Sequence, residues 1–174
     1  MLVVFLYGPA AAGKYTIGSE VAQALDIPLF HNHLTVDLTS CLFEFGSEGF
    51  KKLRADIWRA AFRGCANERQ SFVFTFHPEA SVERSLIGEL TEIIEQADGK
   101  LYFVELECST TVILERLGME SRKQFGKLTD IDLYRAIDAD GGFEYEGLPQ
   151  PDMRIDTEFI EPLLAAKSII GALT

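Results

Sequence analysis

The sequence predicts an α/β fold, a five-stranded parallel sheet with helices on both faces in a three-layer arrangement. Five short apolar runs rich in β-branched and aromatic residues alternate with stretches in which apolar residues recur every three or four positions. Continuous apolar runs are typical of parallel strands buried on both faces, and the helices between them supply the connections. We therefore expect right-handed crossovers, with ligands bound at the carboxyl ends of the strands.

The predicted elements follow one another along the chain without internal repeats. Strands are predicted over residues 2–7, 27–31, 71–76, 101–104 and 153–155. Helices are predicted over residues 14–25, 34–43, 50–65, 82–97, 112–117, 130–137 and 162–170. The periodicity of residues 34–43 is mixed, and residues 138–152, with three glycines and two prolines, are expected to form a long loop.

Length and charge limit the partners that we expect. A chain of 174 residues is expected to form one domain over residues 1–174. It has 16 Lys and Arg against 27 Asp and Glu, and this net charge of −11 argues against nucleic acid and anionic membranes as partners.

Cys41, Cys65 and Cys108 fit neither a disulfide framework nor a zinc site. No apolar run approaches the roughly 18 residues of a membrane span, so we expect a cytoplasmic protein.

A glycine-rich turn directly follows the first predicted strand. The segment 8–14, Gly-Pro-Ala-Ala-Ala-Gly-Lys, matches the first seven positions of the P-loop pattern G-x-x-x-x-G-K-[ST]. In this pattern glycines let backbone N–H groups turn inward, the next helix adds its positive dipole end, and the lysine supplies a cation. The predicted phosphate-binding residues are Gly8, Ala10, Ala11, Ala12, Gly13, Lys14, Tyr15 and Thr16. The alternative is an ordinary glycine-rich turn between a strand and a helix.

The eighth position of the pattern is occupied by Tyr15 instead of Ser or Thr, and Thr16 follows it. The segment 13–16, Gly-Lys-Tyr-Thr, resembles the Gly-Lys-Gly-Thr of adenylate-kinase-type enzymes. This resemblance implies that the Thr16 hydroxyl faces the phosphates and serves as the protein ligand of Mg²⁺.

The whole chain resembles the P-loop small-molecule kinases of the shikimate kinase and nucleoside monophosphate kinase group. Besides the P-loop, three places carry the resemblance. They are Leu-Phe-His-Asn-His at 29–33, Gly-Ser-Glu-Gly-Phe-Lys at 46–51, and Leu-Glu-Arg-Leu at 114–117 followed by Ser-Arg at 121–122. The order of the predicted elements agrees with that group over most of the chain.

Three departures from shikimate kinases fall where those enzymes hold their substrate. His31 and His33 stand where shikimate kinases have the two acids of Asp-x-Asp, and Lys51 replaces the arginine of Gly-Glu-x-x-Phe-Arg. The third strand ends in Thr-Phe-His at 75–77 instead of a glycine run. We therefore expect a kinase whose acceptor is not shikimate.

The resemblance implies an ATP-dependent kinase that moves the γ-phosphoryl group of ATP to a hydroxyl or phosphate of a small metabolite, with Mg²⁺ as a second cofactor. The partners would be a nucleotide and a small-molecule acceptor, and the chain would be a monomer or a weak homodimer. The alternative function is a nucleotide-binding switch or NTPase without transfer to a metabolite. Tyr15 at the eighth position and the lack of an acid ending the strand at 71–76 favour that alternative.

A lid over about residues 118–130 is also implied by the resemblance. Arg116 and Arg122 are predicted to be catalytic cations that close on ATP and help to exclude water. Lys123 and Lys127 are undecided between this lid and a solvated basic surface, which is also the alternative for the two arginines.

All three histidines lie near the ends of predicted strands. His31 and His33 are predicted to bind the acceptor and to take part in catalysis, because a neutral imidazole can accept a hydroxyl proton near pH 7. A hydrogen-bonded packing role is the alternative for both, and it is favoured for His77.

Charged residues complete the predicted acceptor and metal sites. Asp37, Lys51 and Arg54 are predicted to bind the acceptor, with Asp37 as an alternative base. Arg54 would bind an anionic acceptor if its side chain points inward, and would be a surface residue if it points outward. Glu105 and Glu107 follow the fourth predicted strand and are candidate metal ligands, although alternation also fits one exposed edge.

Overall fold

Five parallel strands form one sheet. A computed structural model describes residues 1–119 and 130–173 of the chain. The strands are β1 Leu2–Tyr7, β2 Leu29–His31, β3 Phe72–Phe76, β4 Lys100–Glu107 and β5 Met153–Asp156. They are ordered β2-β3-β1-β4-β5 and every neighbouring pair is parallel, so β1 lies at the centre. The predicted α/β class with a five-stranded parallel sheet is confirmed.

Helices lie between and after the strands. In the described residues they are α1 Lys14–Leu25, α2 Asn32–Ser40, α3 Glu48–Asn67, α4 Leu86–Glu95, α5 Thr110–Leu117, α6 Ile131–Ala139 and α7 Pro162–Leu173. Six of these helices correspond to predicted ones, and α2 overlaps the segment 34–43 whose periodicity is mixed.

Successive residues of β1 point to opposite faces of the sheet. Val3, Phe5 and Tyr7 join one core with the inner side chains of α3 and α4. Val4 and Leu6 join a second core with α1 and α7. All five side chains are buried, so helices cover both faces, as a continuous apolar run predicts.

Aromatic packing fixes α3 on the sheet. The rings of Trp58 and Phe62 meet the ring of Phe74 edge-on, with centroid separations of 5.5 and 5.2 Å. Edge-to-face pairs of this kind add to the stabilisation that comes from burying large apolar side chains. Arg54 lies one turn before Trp58 on the same side of α3, so this packing also carries Arg54 into the interior.

Two element boundaries near the strand ends differ from the predicted ones. α3 begins at Glu48, before the predicted residue 50, because the Ser47 hydroxyl caps its first turn. β4 continues to Glu107, beyond the predicted end at residue 104, because β5 pairs with it over that length. Glu105 and Glu107 therefore lie within a strand and do not follow it.

α2 turns its polar side inward and its apolar side outward. Asn32 and Thr35 are buried, whereas Leu38 is 54% exposed. The Thr35 hydroxyl accepts a hydrogen bond from Trp58 Nε1 at 3.2 Å, and the Thr75 hydroxyl accepts one from the Asn32 N–H at 3.2 Å. The interface of α2 with α3 and β3 is therefore partly polar.

Within residues 1–119 and 130–173, no helix is both long and apolar enough to cross a membrane. A span needs about 20 apolar residues. The apolar helix α7 has 12 residues, and the 20-residue helix α3 carries several charged side chains.

Candidate functional site

The turn between β1 and α1 has the positive backbone φ angles that a phosphate-binding loop requires. Gly8, Ala11 and Gly13 all have positive φ, at 147°, 61° and 87°. A side chain at Gly8 would place its Cβ 2.2 Å from the Leu106 carbonyl oxygen of β4, so only glycine fits there. Ala11 adopts a left-handed conformation that costs about 1 kcal/mol or more for a residue with a Cβ, and such strain is characteristic of functional sites.

Lys14 is the first residue of α1, and its side chain folds back over the turn. Its Nζ donates to the carbonyl oxygens of Gly8 at 2.8 Å and Pro9 at 2.6 Å. Gly13 caps α1 without a side-chain hydrogen bond, so the positive end of the helix dipole faces the same turn. The ammonium group and the helix terminus together create a place where an anion is favoured.

The two residues after Lys14 point in different directions. Tyr15 packs its ring edge-on against His31 at the end of β2, with the centroids 5.0 Å apart. Thr16 is exposed on the first turn of α1. The tyrosine at the eighth position thus contacts the β2 side, while the Thr16 hydroxyl is left accessible.

The structure brings His31 and His33 together with the first turn of α1. His31 is buried, ends β2 and precedes α2, and its ring centroid lies 6.2 Å from that of His33. In the sheet register His31 is paired with Thr75 of β3. His31 therefore lies beside Tyr15 of α1 and beside His33, and the part of both histidines in binding or catalysis stays a prediction.

His77 lies closer to the glycine-rich turn than the sequence suggested. Its Nδ1 is 3.2 Å from the Gly8 carbonyl oxygen. A carbonyl oxygen can only accept, so this contact places a proton on Nδ1. The other side of the His77 ring meets Phe143, with the centroids 5.1 Å apart. His77 thus joins the end of β3 to the turn after β1.

Arg54 points inward, and its guanidinium is already paired. Only 1% of its side chain is exposed, and its Nη1 donates to Glu79 Oε1. Nη2 donates to the Ser81 carbonyl oxygen at 2.8 Å and to the Ser81 hydroxyl at 3.2 Å. The guanidinium carbon also lies 5.3 and 5.5 Å from the ring centroids of Phe50 and Trp58. The sequence offered two orientations for Arg54, and the inward one is realised with a carboxylate as its partner.

Burial governs the titration of this pair. Desolvation lowers the pKa of the Arg54 guanidinium, against the opposing charge of Glu79. Desolvation likewise raises the pKa of the Glu79 carboxyl, and the charge of Arg54 and hydrogen bonds from Ser81 and Arg54 oppose that rise. The charge of Arg54 therefore favours the ionised form of Glu79 in the interior.

Glu79 is a site residue that the sequence did not single out. The prediction looked for an acid at the end of the strand and found none, but Glu79 follows His77 by two residues in the loop after β3. A His-Pro-Glu sequence beyond a buried strand was the available signal. Residues 142–145 hold the loop that carries Glu79 in place. Ala80 N–H donates to the Gly142 carbonyl oxygen at 2.9 Å, and the Tyr145 hydroxyl donates to the Glu83 carbonyl oxygen at 2.9 Å.

Lys51 and Asp37 lie on the surface. The Lys51 ammonium is paired with Glu48 at 2.9 Å, and 36% of its side chain is exposed. Lys51 lines a groove of about 570 Å³ between α3 and the loop after β3. Asp37 is exposed on the outer side of α2. The structure therefore places Lys51 at the edge of this groove and Asp37 at the surface, and their part in acceptor binding stays a prediction.

Arg116 reaches the glycine-rich turn from the last turn of α5. Its Nη2 donates to the Thr157 carbonyl oxygen at 2.7 Å, and its Nη1 donates to the Thr157 hydroxyl at 3.1 Å and the Ala11 carbonyl oxygen at 3.4 Å. The predicted cation is thus beside the turn. The remaining lid residues, Arg122, Lys123 and Lys127, lie outside the described residues.

Glu105 and Glu107 serve as structural partners. The Arg154 guanidinium lies 2.7 Å from a Glu105 carboxylate oxygen and 3.7 Å from one of Glu107. Both carboxylates lie on the same side of β4, facing a cation on β5, because alternate residues of a strand share a face. The interpretation of these two acids as metal ligands is therefore replaced by one exposed edge with an ion-pair network.

The donor set around the turn fits a magnesium ion that arrives with a nucleotide. In the described part of the chain, no group of three or more His, Cys, Asp and Glu side chains is arranged to hold a metal. Mg²⁺ commonly keeps several waters and uses one or two protein groups with phosphate oxygens. The exposed Thr16 hydroxyl on the first turn of α1 suits that role.

Comparison in sequence gives one partial relative. No protein-family model matches the chain. A shikimate kinase from Rhodococcus jostii is 39% identical over 62 residues, which cover 32% of this chain and 37% of that enzyme. The chain is thus matched over little more than a third of the length of this curated relative.

Comparison of structures extends over the whole chain. A sugar kinase from Janibacter has a TM-score of 0.67 at 16% identity, over 99% of this chain and 94% of its own. The APS kinase of Mycobacterium tuberculosis, solved with AMPPNP and APS, has a TM-score of 0.66 at 16% identity, over 98% and 96%. The chain has the fold of the P-loop small-molecule kinases. The shikimate kinase-like resemblance predicted from the sequence is confirmed, and at these identities the structural matches establish the fold alone.

Proposed function

We propose that the chain is an ATP-dependent phosphotransferase that moves the γ-phosphoryl group of ATP to a hydroxyl or phosphate of a small metabolite. The observation that carries the proposal is the glycine-rich turn of residues 8–14. Within it the Lys14 ammonium donates to the carbonyl oxygens of Gly8 and Pro9 at 2.8 and 2.6 Å. These two hydrogen bonds keep the Lys14 ammonium at the turn. A bound nucleotide phosphate would take the place of the two carbonyl oxygens as its partner. The kinase fold and the shikimate kinase relative support the same reaction.

The residues divide the work of phosphoryl transfer between positioning and charge. A bond forms between the acceptor oxygen and the γ-phosphorus, the bond from that phosphorus to the β–γ bridging oxygen breaks, and ADP leaves. Lys14 and Arg116 stabilise the negative charge on the transferring group, and His31 or His33 takes the acceptor proton where the acceptor is a hydroxyl. Mg²⁺ held by Thr16, when bound, would neutralise charge on the phosphate oxygens.

The proposed partners are a nucleotide and a small-molecule acceptor, with neither nucleic acid nor membrane. One AMPPNP-bound structure among the neighbours supports ATP as the donor. The net charge of −11 supports a protein without a polyanionic partner, and a cytoplasmic monomer or weak homodimer completes the proposal.

ADP release tests the proposal. The chain is incubated with ATP, Mg²⁺ and a panel of metabolites, nucleosides and sugars, and stimulation by an acceptor is expected. Lys14→Ala should lower the stimulated rate by about 100-fold or more, the magnitude found when one transition-state donor is removed. Lys167→Ala removes an exposed lysine on α7 and should leave the rate unchanged, so it serves as the matched control.

Two results would count against this proposal. Turnover that is independent of every acceptor would support the alternative of an NTPase or switch. Full turnover by a folded Lys14→Ala variant would show that the glycine-rich turn does not perform the chemistry.

A further inference from the structure

Arg54, the buried cation of α3 that faces the loop after β3, is already neutralised. On α3, Lys51 is paired with Glu48, Arg54 with Glu79, and Arg59 with Glu89. An anionic acceptor needs a cation that is not already committed to a carboxylate. Arg54, the residue best placed by burial, is held by the Glu79 carboxylate and the Ser81 hydroxyl and carbonyl.

Two buried polar atoms, one on Asn32 and one on Arg54 itself, need hydrogen-bond partners of opposite kinds. Asn32 and Arg54 are both at least nine-tenths buried. Within the described residues, Asn32 Oδ1 and Arg54 Nε have no hydrogen-bond partner. The first can only accept and the second can only donate. A hydroxyl group both donates and accepts and so can satisfy either atom, whereas a carboxylate can satisfy only the donor.

These atoms lie at the edge of the sheet where the nucleotide is proposed to bind. The Asn32 N–H donates to the Thr75 hydroxyl at the end of β3, and two residues further His77 contacts Gly8. Glu79 follows His77 by two residues, so their Cα atoms are at most about 7 Å apart. The side chain of Glu79 is 12% exposed where that of Arg54 is 1%, so the pair is approached from the carboxylate side.

We infer that the acceptor is an uncharged polyhydroxy compound, a sugar or polyol, whose hydroxyls bind to Glu79 and Asn32. This inference rests on the proposed function and names its substrate class. Arg54 acts as a positioning residue that holds the Glu79 carboxylate, and that carboxylate accepts from acceptor hydroxyls and repels an acid. The sequence-based expectation of an anionic acceptor on Arg54 is thereby reversed.

Matched acceptor pairs test the inference on the unmodified chain. Each pair consists of a neutral sugar or polyol and its singly oxidised acid, such as glucose with glucuronate, galactose with galacturonate, and glycerol with glycerate. Aldoses, ketoses, alditols and nucleosides widen the neutral series. ADP release with ATP and Mg²⁺ is expected to be stimulated by a neutral compound, with kcat/KM at least tenfold lower for its acid.

Charge-changing variants locate the selectivity. Glu79→Gln uncovers the charge of Arg54 and should raise the acid-to-neutral ratio of kcat/KM by at least tenfold. Glu83→Gln removes the same charge from the same loop, where the carboxylate is exposed and pairs with Arg59, and should leave that ratio within twofold. Glu79→Asp keeps the charge and should keep the preference for the neutral member. It also replaces Glu79→Gln as the test if circular dichroism shows that the latter does not fold.

The outcomes separate the inference from the proposed function. Equal or better use of an acid by the unmodified chain overturns the inference and leaves the kinase proposal standing. An unchanged ratio in a folded Glu79→Gln variant, or a lost preference in Glu79→Asp, also overturns it. If AMPPNP binds and no compound of either charge stimulates ADP release, the inference and the proposed transfer both fall.

Discussion

Replacing Arg54 by methionine would leave the Glu79 carboxylate in the interior without its charge partner. Methionine is shorter than arginine but similar in volume, so the change removes charge and hydrogen bonds more than volume. What is lost is the Glu79 ion pair and the donation to Ser81 at 2.8 Å. Because the stranded group is an ion, the expected cost exceeds that of a neutral hydrogen bond.

The expected loss in the free energy of unfolding is about 3 kcal/mol at pH 7.5. Breaking a buried ion pair by removing one member costs about 3–5 kcal/mol. The lower end applies because 12% of the Glu79 side chain remains exposed to water. For a chain of this size about 1 kcal/mol corresponds to 2–4 °C, so Tm should fall by about 6–12 °C.

Acid should reduce this cost. The folded-state pKa of Glu79 is raised by burial, and removing the opposing charge of Arg54 raises it further. A carboxyl whose folded pKa lies above its unfolded value contributes most favourably below the unfolded pKa, and loses that contribution as pH rises through the folded pKa. The difference between wild type and Arg54→Met should therefore shrink from pH 8 to pH 5.

Urea unfolding at several pH values measures the effect, with circular dichroism and the fluorescence of Trp58, the single tryptophan, as signals. Arg59→Met is the control. Its pairs lie at the surface and should contribute less than about 1 kcal/mol. Adding Glu79→Gln to Arg54→Met should recover most of the loss. A cost below about 1 kcal/mol at pH 7.5, or one that grows on acidification, would refute the reasoning.

Three other substitutions test the turn and its surroundings. Gly8→Ala forces a Cβ to within 2.2 Å of the Leu106 carbonyl oxygen and should lower the free energy of unfolding by at least about 2 kcal/mol in urea titrations. Gly64→Ala, in α3 with open space around its Cβ, should raise it by about 0.5–1 kcal/mol, and a loss would contradict that environment. Arg116→Ala, which removes the contact with Ala11, should lower kcat about tenfold with a smaller change in AMPPNP affinity. A wild-type kcat would remove Arg116 from the reaction.

The sheet and the glycine-rich turn were predictable because their signals are local. Residues 3–7 are buried on both faces, and their uninterrupted apolar character shows this without knowledge of any partner. The turn is encoded by Gly8, Gly13 and Lys14 within seven positions. Its backbone conformation follows from the two glycines, so a short pattern was sufficient.

The pairing of Arg54 was not predictable because it depends on a residue 25 positions away. Considered alone, a buried arginine near a strand end indicates an anion site. The loop after β3 brings Glu79 against it only once α3 has packed on the sheet. Glu79 lies two residues beyond His77, outside the strand end at which an acid was expected.

The burial of the polar side of α2 was not predictable for a related reason. Both Leu34 with Leu38 and Asn32 with Thr35 recur at helical spacing, so periodicity indicates a helix without saying which side is buried. The choice is made by partners elsewhere in the chain, since Trp58 donates to Thr35. A buried polar face is stable only where such partners exist.

The two halves of the site are therefore specified in different ways. The phosphate side depends on backbone conformation within one short segment. The proposed acceptor side depends on long-range pairs such as Arg54 with Glu79, whose net charge is set by two residues on separate elements. Substituting either member changes the charge presented to the acceptor while the glycine-rich turn stays intact. A chain of this fold can thus keep its nucleotide and change its acceptor, because the contacts inferred to choose between neutral and anionic compounds are not those proposed to hold the phosphates.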